Sequence, residues 1–100
     1  MKTKRTNSSK GVAINIGLNS VDPAHYSGWS GDLLACEADA EDMAQIAKAA
    51  GFKTTKLLTK TATRPAVTQN LKNAAGTLKA GDILFLTYSG HGGQLPETSA

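Results

Sequence analysis

The stretch Asp82-Ile-Leu-Phe-Leu-Thr-Tyr-Ser-Gly-His-Gly-Gly93 holds a continuous apolar run that ends abruptly at glycines. A short apolar run bounded by turn formers is typical of a β-strand buried on both faces. A second such run is Gly11-Val-Ala-Ile-Asn-Ile-Gly-Leu18, and Lys53 to Leu58 predicts a third, weaker strand. Strands of this kind occur in parallel sheets that are covered by helices.

Two helices are predicted between these strands. The first covers about Ala35 to Ala50, with acidic residues in its first turns and Gly51 at the left-handed C-cap position. The second follows the N-cap Thr63, has Pro65 in its first turn and ends at Gly76. The expected buried faces are Met43, Ile46, Ala47 and Ala50 in the first helix, and Val67, Leu71 and Ala74 or Ala75 in the second.

The order strand, helix, strand, helix, strand predicts an α/β fold, a three-layer sandwich around a mostly parallel sheet. Such sheets carry function in the loops that follow the carboxyl ends of their strands. Two loops qualify best. One leads from the first strand to Cys36, and the other is Ser89-Gly-His-Gly-Gly-Gln94.

Composition narrows the class of protein. The chain has 100 residues, 40% hydrophobic and 19% charged, which fits one small globular domain. Residues 1–10 are predicted to form a disordered basic tail, and residues 11–100 are predicted to form the domain itself. We find no basic face with aromatics for nucleic acid and no membrane-length apolar run. The single cysteine, Cys36, and the absence of a signal sequence favour the cytoplasm.

The predicted fold is incomplete. Three strands and two helices give little core, and the strand from Asp82 to Ser89 is apolar on both faces with nothing after it to cover it. We therefore expect more sheet from the same gene or from a second chain. Without it, the chain should associate or be poorly stable, because an uncovered strand offers its edge to other chains.

His91 lies in the glycine-rich loop directly after a buried strand. A stiff strand would fix this histidine while leaving it open to solvent, which suits a general base. Two other interpretations stay open on the residues alone. The loop from Ser89 to Gly93 would bind a phosphate or another anion through its backbone amides, or the histidine would have no chemical role.

The strand that runs into Ser-Gly-His-Gly resembles the histidine motif of the caspase and metacaspase clan. A second likeness is Leu33-Leu-Ala-Cys-Glu-Ala-Asp39, similar to the Leu-x-Gly-Cys-x-Asn-Asp segment that opens the first helix of metacaspases. Here Ala35 stands for the glycine and Ala38 for the asparagine. The resemblance extends over about residues 11 to 94 and makes the chain the N-terminal half of such a domain.

The resemblance implies a cysteine endopeptidase of the metacaspase kind that cleaves a polypeptide after Arg or Lys. His91 would be half of a Cys-His dyad whose cysteine lies ~50 residues downstream, beyond this chain. The amide of Gly92 would serve the oxyanion, while Cys36, Asp39 and Ser89 would line the substrate pocket. No cofactor is implied by these residues. The calcium dependence of many metacaspases would rest on ligands outside the chain.

The residues also allow plainer roles. Cys36 is either a small buried residue or a thiol activated by the helix start, and Asp39 either a pocket acid or a charge that serves the helix dipole. His25 has no partner at zinc-binding spacing, so no metal site is predicted. Its loop, with Tyr26 and Trp29, is expected to pack as a lid over the strand ends.

Two other functions remain open. The chain would be a catalytically dead caspase-fold interaction module, or an unrelated α/β domain that binds an anion at the loop from Ser89 to Gly93.

Overall fold

A computed structural model describes residues 9–93. The chain forms an α/β fold with one helix on each face of a parallel sheet of three strands, in the order β2-β1-β3. The predicted order of strands and helices is confirmed. The elements are β1 (Gly11–Gly17), α1 (Cys36–Ala49), β2 (Lys53–Leu58), α2 (Arg64–Thr77) and β3 (Ile83–Ser89).

The register of the sheet brings the three carboxyl ends to one edge. Gly17 at the end of β1 is paired with Leu58 at the end of β2 and with Ser89 at the end of β3. The loop after β1 stays bound there, because the amide of Leu18 donates to the carbonyl of Ser89 at 2.9 Å. The loops that follow the three strands therefore lie side by side, as the sequence predicted.

The apolar core lies between the sheet and α2. Its buried centre is Ile14 and Ile16 of β1 with Leu57 of β2. Because alternate residues of a strand share a face, these side chains point away from α1. The half-buried apolar residues packed around this centre are Leu18, Ala62, Ala66, Val67 and Leu71. The predicted stripe of the second helix is thus confirmed for Val67 and Leu71, and Ala74 is its buried alanine.

The predicted buried face of the first helix was wrong except at Ala47. The buried residues of α1 are Cys36, Ala40, Ala44 and Ala47, whereas Ile46 is 58% exposed and Ala50 lies at the exposed end. The reason is close packing. A Cβ at Gly17 of β1 would collide with the Cys36 carbonyl and touch Ala40, so the helix rests on the sheet through its small residues. Size, rather than hydrophobicity, selected the contact face.

The last strand is only partly covered. Leu84, Leu86 and Tyr88 lie on the α2 side of β3 and keep 41%, 48% and 52% of their surface exposed. Within residues 9–93, β3 pairs with β1 alone, so its outer edge carries unpaired backbone groups. This open apolar edge is the feature that the sequence predicted for the third strand. None of the helices in this part of the chain is long and apolar enough to span a membrane.

The amino ends of β1 and β3 are joined by Asp82. Its carboxylate accepts hydrogen bonds from the backbone amides of Lys10 and Lys79, each at 2.8 Å. These two amides lower the pKa of Asp82 below its ordinary value of 3.8. Pairing therefore starts at Lys10, and residues 1–8, most of the predicted basic tail, lie outside the described residues.

Candidate active site

Asn19 fixes the loop that leads from β1 to α1. Ala35 occupies the N-cap of α1 and has no side chain that accepts a hydrogen bond. Asn19 supplies the cap instead, since its Oδ1 accepts from the amide of Glu37 at 3.0 Å. Its backbone amide donates to Thr59 Oγ1 at 2.9 Å, and its carbonyl accepts from the amide of Leu33 at 2.6 Å. One residue thus joins β1, the turn after β2 and the start of α1.

We expect Asn19→Ala to destabilise the protein by about 1 kcal/mol, since replacing a capping asparagine by alanine leaves a helix amide without its partner. Thermal unfolding measures the loss. Asn73→Ala is the matched control, because Asn73 is exposed on α2 and, within residues 9–93, its side chain bonds only to Gln69 of the same helix. An Asn19→Ala protein as stable as the control would show that the side chain does not cap α1.

His91 is held by a backbone carbonyl. Its Nε2 lies 3.0 Å from the carbonyl oxygen of Gly31, in the loop between β1 and α1. A carbonyl can only accept, so Nε2 carries the proton and the neutral ring keeps Nδ1 free as the basic nitrogen. The hydroxyl of Tyr88 donates to the His91 carbonyl and steadies the turn from the other side. Partial burial raises the pKa of Tyr88 above its ordinary 10.0, so this donor stays protonated.

Two glycines are required by this arrangement. Gly31 is buried with φ of +58°, and a Cβ there would lie 2.7 Å from the Trp29 ring and 3.0 Å from His91 Cδ2. A Cβ at Gly90 would collide with the Tyr88 hydroxyl. Gly92 differs, because a Cβ there would meet no atom of the described residues within 4 Å. Contacts within residues 9–93 therefore do not require a glycine at this position.

Asp39 and Ser89 meet across the same edge of the sheet. The Ser89 hydroxyl donates to Asp39 Oδ2 at 2.7 Å and so links the end of β3 to the first turns of α1. Both residues line a cavity of about 310 Å³. No Lys or Arg occurs among its lining residues, as far as the structure describes the chain. The remaining lining residues are Ile16, Ala40, Asp42, Met43, Thr87 and Tyr88.

The other predicted residues lie in different settings. Cys36 is 7% exposed at the start of α1, so its thiol is a poor candidate for a nucleophile that must reach a peptide bond. His25 is exposed in the short turn Pro23–His25, with its imidazole 3.7 Å from the carboxylate of Asp22. Within residues 9–93, no three His, Cys, Asp or Glu side chains come together as a metal site.

The predicted lid is built around Trp29. The indole packs on the imidazole of His91 with ring centroids 4.9 Å apart, and Tyr26 meets the indole edge-on at 6.5 Å. The sequence indicated that these aromatics would pack, but not against which residue. Sequence reasoning also missed Asn19 and Gly31. The available signals were an Asn soon after a strand and a Gly after Trp-Ser. These signals are weak, because many loops contain such residues.

The fold, together with the residues at the carboxyl edge of the sheet, indicates the class of protein. The carboxyl edge of the parallel sheet carries a glycine-flanked histidine and, at Ser89, an acid-lined cavity. The family model described as caspase domain matches residues 10–100. The chain belongs to the caspase-domain family, a family of cysteine-peptidase type. The resemblance to caspases and metacaspases seen in the sequence is thereby confirmed at the level of the family.

A solved structure gives a close comparison. The chain is similar to protein GSU0716 from Geobacter sulfurreducens, with 59% sequence identity and a TM-score of 0.87. The match covers 91% of this chain and 34% of the Geobacter protein, so the chain spans about a third of that protein's length. No curated protein matches the chain.

Proposed function

We propose that this chain is the histidine-bearing part of a cysteine endopeptidase that cleaves polypeptides after Arg or Lys. The observation that carries the proposal is the bond from His91 Nε2 to the Gly31 carbonyl. It leaves Nδ1 as the only nitrogen that can accept a proton, on a ring exposed at the edge of the sheet. A general base needs this combination of a fixed tautomer and an accessible nitrogen.

The chemistry needs a thiol from the remainder of the peptidase domain. Nδ1 of His91 takes the thiol proton, and the thiolate sulfur forms a bond to the carbonyl carbon of the scissile peptide. The amide of Gly92, the residue after His91, would donate to the resulting oxyanion. His91 then returns the proton to the leaving nitrogen as the C–N bond breaks. Water, deprotonated by His91, hydrolyses the thioester that remains.

The preference for a basic residue rests on the cavity that Asp39 and Ser89 line. Asp39 supplies a carboxylate, and Ser89 holds one of its oxygens at 2.7 Å, so the other oxygen can pair with a cation. An arginine or lysine side chain in a cavity with acidic and no basic lining gains charge-assisted hydrogen bonds. An aspartate side chain would meet a carboxylate there and be rejected. Cys36, also predicted to line the pocket, is buried at the start of α1 and is not among the described residues that line this cavity.

The test uses the full-length protein that contains this chain, with fluorogenic peptides that differ only in the residue before the cleaved bond. We expect hydrolysis after Arg and Lys to exceed hydrolysis after Asp by about a hundredfold or more, because charge pairing in a pocket gives discrimination of this order. Each assay is run with calcium and with a chelator. Preference for Asp would contradict the proposed specificity, and no hydrolysis of any peptide would favour a catalytically dead interaction module.

The anion-binding alternative has less support. A backbone cradle for an anion uses residues of left-handed conformation or the start of a helix. The glycines with positive φ in the described chain are Gly28, Gly31, Gly51 and Gly81, so none of Gly90, Gly92 and Gly93 is among them. Inorganic phosphate that shifted the amide resonances of this loop would restore the alternative.

A further inference from the structure

Trp29 covers one face of the His91 imidazole. The ring centroids lie 4.9 Å apart with the planes inclined at 55°, although half of the indole, 52%, remains exposed to solvent. A tryptophan with half of its surface in water gains little free energy from burial at this position. The loop nonetheless holds it there, through the Trp29 amide bonded to the Tyr26 carbonyl at 3.1 Å and the Val21 amide bonded to the Ser30 carbonyl at 2.8 Å.

Gly31 links the two rings. Its carbonyl receives Nε2 of His91, and the space where its side chain would stand is filled by the edges of Trp29 and His91 together. The imidazole is therefore held in two ways. The carbonyl fixes one edge of the ring, and the indole limits the tilt of its plane.

A single hydrogen bond at Nε2 would leave the imidazole free to swing about that bond. Proton transfer at Nδ1 requires the acceptor within about 3 Å of the thiol and in line with it, so such swinging would lower the rate. The bond to Gly31 is itself partly buried, and bonds of this kind are stronger where water is excluded. When His91 gains the thiol proton, its positive charge forms against an aromatic face, which attracts cations.

We propose that Trp29 is a positioning residue for His91. It fixes the plane of the imidazole and lies against the ring that gains a proton during the reaction. This inference rests on the proposed peptidase function for its kinetic consequence, but the contact between the rings has consequences that are independent of activity. Trp29 then acts on the reaction through His91, whereas Tyr26 of the same loop only meets the indole edge-on.

The kinetic test compares Trp29→Leu, Trp29→Phe and Tyr26→Leu in the full-length protein. Tyr26 is the control, because it lies in the same loop with 53% of its surface exposed, and among the described residues its ring meets Trp29 edge-on rather than His91. We expect Trp29→Leu to lower kcat about tenfold with KM changed less than twofold, in line with the loss of one aromatic contact to a cation. Trp29→Phe should recover most of kcat, and Tyr26→Leu should stay within threefold of the parent.

The second readout is NMR of histidine labelled with 15N in the ring, with the His91 signals assigned by their loss in His91→Ala. We expect Trp29→Leu to move the ring proton resonances of His91 and to lower the fraction of the tautomer protonated at Nε2. Unchanged resonances together with unchanged kcat would overturn the inference, even if His91→Ala is inactive and the peptidase function stands. Shifted resonances in a protein without peptidase activity would support the positioning of His91 and count against the proposed function.

Discussion

His91→Ala is expected to lower kcat/KM for an Arg peptide by about a thousandfold or more in the full-length protein. The loss is large because a dyad acts as a unit, and the removal of one member leaves only substrate binding and oxyanion stabilisation. Fold stability should change little, since the His91 side chain is exposed and its contacts are confined to Trp29 and Gly31 in the part of the chain that the structure describes. Progress curves and a thermal unfolding scan measure both quantities.

Two further variants make the result specific. His25→Ala removes the other histidine of the chain, which lies exposed in the turn Pro23–His25, and should retain activity within twofold. His91→Gly leaves a space beside Gly31 and Trp29 that imidazole can enter, so added imidazole should restore part of the lost rate. A His91→Ala enzyme that keeps a tenth of its activity would refute the assignment of His91 as the base.

The sequence predicted the order of the elements because each carries strong local signals. The apolar runs of β1 and β3 end at turn formers, Thr63 caps α2 and Gly51 adopts the expected left-handed conformation with φ of +89°. Such signals need only neighbours along the chain. They therefore specify where elements begin and end, and the alternation of strand and helix then specifies the parallel sheet.

The contact face of α1 could not be obtained in this way. Hydrophobic spacing favours Met43 and Ile46, but the helix approaches β1 at Gly17, where only small residues fit. Gly17, about twenty residues earlier in the chain, determines which face of α1 packs on the sheet. A pattern within the helix does not contain that information, because close packing depends on both surfaces.

The sequence named candidate site residues but not the contacts that orient them. His91, Ser89 and Asp39 belong to recognisable segments, whereas the contacts that orient them come from Asn19, Trp29 and the carbonyl of Gly31. A backbone carbonyl has no side-chain signature. The Gly31 carbonyl can bind Nε2 only because the loop after β1 lies against the loop after β3. That contact depends on the tertiary fold and not on the local sequence.

The pocket acid gives the second large expected effect. Asp39→Asn should lower kcat/KM for an Arg peptide by about a hundredfold or more, since the guanidinium loses a charged partner inside a cavity. The asparagine has almost the size of the aspartate, and its side-chain oxygen can still accept from Ser89 Oγ. The variant therefore changes charge with little change of shape.

Asp42→Asn is the matched control, because Asp42 lies three residues further along α1 and lines the same cavity without a bond to Ser89. We expect its effect to stay below tenfold. A large loss in Asp42→Asn with a small one in Asp39→Asn would move the pocket acid to position 42.

A citrulline peptide separates charge pairing from a structural role. Citrulline has the shape of arginine without its charge, so the parent enzyme should cleave it far more slowly than the Arg peptide. In Asp39→Asn the two substrates should approach each other, because the charge on the substrate no longer has a partner. If Asp39 only served the dipole of α1, the variant would lose about 0.3–1 kcal/mol of stability and slow both substrates by the same factor. Equal slowing would therefore remove Asp39 from the pocket, and convergence of the two rates would establish the carboxylate as the group that selects a basic residue.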